Sequence, residues 1–203
     1  AYYKLDDVPT TPDNGTYVAG DSITSISGIT VGGDGEHTVY VWLEDSAGNV
    51  DHNNCSSAAL YYDSTAPTAP SLLSPGDGDL SGEATQALVW DTASDDLSGI
   101  DNYVVYVDGS LVLTVDDDTQ TQADVAFADG VHTWCVAAVD YAGNMSFSES
   151  YVLNIDLVVL PPEGLTATPS VWTNIDDFTV SWTNPSDLSG VVGAYYKLDS
   201  API

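Results

Sequence analysis

HTWCVAAVDYAGN, residues 132–144, is the stretch from which the fold can be read. A close copy, HTVYVWLEDSAGN, occupies residues 37–49, and the two align without gaps 95 positions apart. In each, a run of β-branched and aromatic residues alternates for about eight positions, which reads as a strand with two distinct faces. Each run closes on Asp-x-Ala-Gly-Asn. Asp and Asn there bond their own backbone and Gly supplies positive φ, so the motif reads as a tight turn.

Working outward from the second copy, turn residues separate short apolar runs at regular spacing. Runs at 87–90, 103–107, 111–115 and 121–127 precede it, and one at 150–155 follows. Such spacing predicts an antiparallel β-sandwich. Around the first copy, strands are expected at 1–6, 23–31 and 58–62, with Val8–Gly20 as loop. Asp63 to Pro70 is a linker stiffened by two prolines. After Pro161-Pro162, strands are expected at 165–168 and 178–182.

The opening AYYKLDDVPT returns as AYYKLDSAPI at residues 194–203. The sequence therefore reads as three pieces of one repeating domain. Residues 1–66 are the C-terminal part of a domain, 67–160 a complete domain, and 161–203 the N-terminal part of another. The last piece could complete the first piece of a neighbouring copy. A longer chain with a two-domain repeat, or completion between subunits of a filament, would each account for this pattern.

Composition limits the function. Hydrophobic residues make up 43 % of the 203, which supports packed cores. Thirty-one acidic residues face two lysines, Lys4 and Lys197, for a net charge of −29. Nucleic acid and anionic membranes should repel such a surface. No apolar run is long enough to insert in a membrane. No nucleophile elbow, phosphate loop or zinc-spaced histidine pair is present, so catalysis is not expected.

The order Asp-Leu-Ser-Gly, strand, Asp-Gly-x-His-Thr, strand, Asp-x-Ala-Gly-Asn, strand, Thr-Ala-Pro resembles tandem Ig-like and fibronectin type III-like repeats. Such repeats occur in extracellular surface proteins of bacteria and archaea, including adhesins. The resemblance implies an all-β chain of tandem sandwiches. It also implies a structural role outside the cell, as a rod, stalk or filament at a microbial surface. The alternative is an adhesin or carbohydrate-binding module of a larger secreted protein, with a glycan as partner.

In such a sandwich the loop after the second strand and the turn after the sixth meet at one end, where the chain enters. That groups Asp95, Asp96, Asp140 and Asn144 with Asp63 from the linker, and likewise Asp156 and Asp187 with Asp45 and Asn49. Carboxylates and turn carbonyls are the ligands of Ca²⁺, the expected cofactor. The same residues also read simply as hydrogen-bonded turns, and the charge as adaptation to salt. If Val39 and Val41 face the core, alternation puts Tyr40, Trp42 and Cys135 on an outer face. With Tyr195, these form a candidate contact for self-association or sugar stacking. Sequons mark Asn14, Asn54 and Asn144 as candidate glycosylation sites.

Overall fold

A computed structural model describes residues 1–198. Strands are β1 (Tyr2–Leu5), β2 (Thr16–Tyr17), β3 (Gly35–Trp42), β4 (Ser56–Tyr62), β5 (Leu72–Ser74), β6 (Asp79–Ser81), β7 (Thr85–Trp90) and β8 (Ile100–Val107). They continue as β9 (Ser110–Val115), β10 (Gln122–Ala126), β11 (Gly130–Asp140), β12 (Met145–Phe147), β13 (Tyr151–Ile155), β14 (Glu163–Thr168) and β15 (Thr179–Thr183). A three-residue 3-10 turn at His52–Asn54 is the only helical element among the described residues. The chain is all-β.

Proximity divides the chain into two compact units. One comprises Ala1–Ala69, Ala93–Asn102 and Ala138–Ser146; the other comprises Pro70–Thr92, Tyr103–Ala137 and the residues from Phe147 onward.

The second unit holds the packed sandwich core. One sheet has the order β10-β7-β5; the larger runs β6-β13-β11-β8-β9, with β12 on the side of β11. Period-two alternation sends Leu88 and Trp90 of β7 inward, and they are buried with Tyr103, Val105, Trp134, Val136, Leu153 and Ile155. Trp90 lies against Tyr103 and Trp134 meets Tyr151 edge-on, which adds directional aromatic contact to burial. Trp90 Nε1 and Trp134 Nε1 are buried without a hydrogen-bond acceptor.

The hairpin β14–β15 is a separate two-stranded ribbon of the same unit, with Ala167 opposite Val180. Every residue of both strands is exposed, including Leu165, Val180 and Trp182.

In the first unit β1 to β4 form one sheet in the order β2-β1-β3-β4. The repeat relates β3 to β11 and β1 to β8, and the ends of the paired strands are tied alike. His37 Nδ1 meets Asp6 Oδ2 at 3.0 Å, and His132 Nδ1 meets Asp108 Oδ2 at 2.7 Å. The other ring nitrogens face the carbonyls of Gly33 and Ala128. Asp6 and Asp108 both take positive φ, a strained backbone that the paired bonds to Thr38 N and Thr133 N hold in place.

The structure departs from the sequence reading at two places in this unit. Thr16–Tyr17 is a strand within the expected loop, paired as Tyr17 opposite Tyr2 with the rings 4.8 Å apart. Conversely, residues 23–31 are irregular, although Ile23, Ile26, Ile29 and Val31 are half-buried. A strand needs a ladder partner. The corresponding β10 finds one in β7, and residues 23–31 have no equivalent in their own sheet. Of the closing AYYKLDSAPI stretch, residues 199–203 lie outside the described residues.

Candidate functional site

The Asp-x-Ala-Gly-Asn turn is a local hydrogen-bonded device. After β11, Asn144 N donates to Asp140 Oδ1 at 2.8 Å, Asn144 Nδ2 donates to Asp140 Oδ2 at 2.9 Å, and Asp140 N donates to Asn144 O. Gly143 occupies the positive-φ position at 92°. After β3 the same bonds recur, with Asn49 N to Asp45 Oδ1 at 2.9 Å and Asn49 Nδ2 to Asp45 Oδ2 at 2.8 Å.

The two turns differ in what surrounds them. Asp45 and Asn49 are exposed, whereas Asp140 is buried. Asn144 Nδ2 reaches further, to Asp63 O at 3.2 Å and Thr65 O at 3.3 Å. Asp63 Oδ2 in turn accepts from Ser98 N at 3.1 Å. Asp95 Oδ1 accepts from Leu97 N, Ser98 N and Gly99 N, all within 3.0 Å. Those donors, Gly99 N–H foremost, hold the Asp95 carboxyl below the usual carboxylate range.

These contacts bring Asp63, Asp95 and Asp140 together, with one oxygen of each within 4.8 Å of the others. All three belong to the first unit. Three carboxylates at that spacing repel one another unless a cation or donors intervene, and the donors present are backbone and side-chain amides. Hard oxygen donors in this number suit Ca²⁺ better than a soft metal.

Asp96 lies outside this group and is exposed. In the second unit Asp156 Oδ2 accepts from Ser189 N at 3.0 Å, and Asp187 Oδ1 accepts from Ser189 Oγ at 3.0 Å. The Ser189 hydroxyl keeps Asp156 below the usual carboxylate range. Thus the linker-to-loop bond of Asp63 to Ser98 recurs as Asp156 to Ser189. Asp45 and Asn49, expected alongside, bond one another.

The expected outer face needs correcting at Trp42, which is 1 % exposed. Its ring stacks on Tyr2, with centroids 5.6 Å apart and an interplanar angle of 8°, and its Nε1 donates to Pro12 O at 2.8 Å. The chain between β1 and β2 folds over this face, so alternation exposes less than it implies. Tyr40 and Cys135 are half-buried, and Tyr195 is fully exposed. Burial pushes the Cys135 thiol up, and neither it nor Cys55 is in a disulfide.

Among the sequons, Asn54 is exposed. Asn14 is half-buried and its Oδ1 accepts from Lys4 Nζ at 2.7 Å. The Asn144 amide nitrogen faces three acceptors. Asp6 and Asp108, the histidine partners, were not singled out by the sequence. The repeated Asp-Gly-x-His-Thr was the available signal, but the aspartates lie in the turns that follow β1 and β8. Among the described residues no helix is long and apolar enough to cross a membrane.

No family model matches the chain. Over 144 residues, 68 % of the chain, it is 34 % identical to chitinase A1 of Niallia circulans, and it spans 19 % of that enzyme's length. Among solved structures, it is similar to the fibronectin(III)-like modules of Clostridium thermocellum CbhA. The TM-score is 0.45 at 17 % identity, covering 63 % of this chain and 65 % of that one. It is also similar to the FN1-FN3 domains of chicken CNTN1, with a TM-score of 0.36, 16 % identity, and coverage of 76 % and 54 %.

Proposed function

We propose that the chain is a non-catalytic structural segment of a larger secreted protein. It serves as a rod, stalk or filament element at a microbial surface, with Ca²⁺ held by Asp63, Asp95 and Asp140. The observation that carries this reading is the set of bonds from Asn144 and Ser98 to Asp63. They fasten the chain entering at Asp63 to two loops far along the sequence. A cation among the three carboxylates would remove their mutual repulsion and add ligands across the same three segments.

The similarity to a chitinase supports a second reading, a glycan-binding or spacer module of a secreted carbohydrate-active enzyme. Burial of Trp42 counts against sugar stacking at that residue.

Small-angle scattering of the full chain, with calcium and with chelator, tests the first reading. An extended particle whose length distribution broadens on chelation supports it. A flexible particle unaffected by chelator overturns it. Retention on chitin would move the second reading ahead.

A further inference from the structure

Ser98 and Asn144 both bond Asp63, and a residue outside that group decides where Asp63 stands. Asp34 lies in the turn before β3. Gly35, which follows it at a positive φ of 131°, pairs with Tyr62 at the end of the β3–β4 ladder. The ladder therefore delivers Asp34 beside the chain that leaves β4. There its carboxylate takes three donors. Ser64 N at 3.0 Å and Ser64 Oγ at 2.7 Å donate to Oδ1, and Thr65 Oγ1 at 2.6 Å donates to Oδ2. These donors, the Thr65 hydroxyl foremost, hold the Asp34 carboxyl below the usual carboxylate range.

The two residues that Asp34 grips adjoin the groups that Ser98 and Asn144 use. Thr65 N closes back on Asp63 Oδ1 at 3.0 Å, which leaves Asp63 Oδ2 for Ser98 N. Asn144 Nδ2 reaches the Asp63 and Thr65 carbonyls together, one on each side of Ser64. Two carbonyls that flank one residue meet a single amide only over a narrow range of the backbone angles between them. Asp34 sets those angles from outside, by bonding the main chain and the side chain of Ser64 at once. The repeat supplies a second instance. Gly130 pairs with Ile155, and Asp129 Oδ1 accepts from Leu157 N at 2.7 Å while Asp156 Oδ2 accepts from Ser189 N at 3.0 Å. Leucine has no hydroxyl, so the main-chain bond is the part common to both copies.

We propose that Asp34 is the positioning residue of Asp63. It fixes the chain at residues 64–65 so that the carboxylate and the carbonyl of Asp63 meet Ser98 and Asn144. Without it the two carbonyls part, and Asn144 keeps its local bond to Asp140. The observed bonds of Asp34 go to Ser64 and Thr65, so its effect on Asn144 passes through the linker. Asp129 acts on Asp156 in the same way. This inference deepens the structural reading above and rests on it, but it needs no cation.

A double-mutant cycle in the presence of chelator, read from urea midpoints of the full chain, tests it. Asn144→Ala destabilises the wild-type chain. In the Asp34→Ala background the same substitution should lose roughly half or more of its effect, because the linker bonds it removes are already gone. Asp34→Asn keeps an oxygen for Ser64 N and should restore the coupling. Glu36→Ala, at an exposed carboxylate two residues away, should leave the Asn144→Ala effect unchanged. The Ser64 amide should exchange roughly tenfold faster in Asp34→Ala, the weight of one hydrogen bond. Additive losses overturn the inference, because Asp34 and Asn144 then act independently. A coupling abolished as fully by Asp34→Asn or mimicked by Glu36→Ala also overturns it, because charge alone would then account for it. Both outcomes leave the rod reading to its scattering test, whereas coupling retained in a chain that scatters as a flexible particle sinks the rod reading alone.

Discussion

Asn144 binds the main chain at Asp63, 81 residues earlier in sequence, through the same amide that closes its own turn onto Asp140. One side chain thus joins a local motif to a distant segment. Asn49, in an otherwise identical turn, makes the local bond. Asn144→Ala strands the Asp63 and Thr65 carbonyls and one oxygen of a buried carboxylate. It should cost about 1–3 kcal/mol, while Asn49→Ala should cost less. Urea midpoints of the two variants, compared at equal m-values, check this.

Calcium addition should raise the unfolding midpoint if the three-carboxylate group takes it up. Calcium at about a hundred times its Kd would add about 2.7 kcal/mol. Asp95→Asn and Asp63→Asn should each reduce the gain, whereas Asp96→Asn, outside the group, should not. Thermal melts with calcium and with chelator give the comparison.

The His132–Asp108 pair makes stability pH-dependent at both ends. Its hydrogen bond to His132 holds Asp108 below the usual carboxylate range, and the same bond raises His132. The Asp108 contribution is present above the ordinary aspartate value and is lost as pH falls through the lowered one. The His132 contribution is full below the ordinary histidine value and is lost as pH rises through the raised one. Asp108→Asn should bring the His132 titration back toward its ordinary value, as read from imidazole proton shifts. His37, raised by Asp6, should respond in parallel to Asp6→Asn.

Trp42 should behave as a core residue. Its truncation to alanine should cost about 3–5 kcal/mol, as other large buried aromatics do. Gly15→Ala should also destabilise the first unit, because a Cβ there would stand 2.4 Å from the Trp42 ring and 2.6 Å from the Tyr3 carbonyl. Overpacking of this kind costs about 1–3 kcal/mol. Fluorescence of Trp42 during unfolding reports the Gly15 variant, and circular dichroism reports the Trp42 variant.

Local chemistry set the turns of this protein and marked most of its strands. Runs of β-branched and aromatic residues mark β3, β8 and β11. Asp-x-Ala-Gly-Asn closes through bonds between residues four apart, so both copies form the same turn whatever surrounds them. The repeat likewise ordered the elements and grouped the aspartates that the sandwich topology carries to one end. Alternation, however, defines two faces without saying what covers each. Trp42 became buried because a segment from between β1 and β2 folded over it, with Pro12 O as its acceptor. Residues 23–31 carry β-branched residues suited to a strand but have no neighbour to pair with. Residues 16–17, in a stretch of turn residues, found β1. Hydrogen-bonded ladders and buried faces need partners distant in sequence, and only the tertiary structure supplies or withholds them.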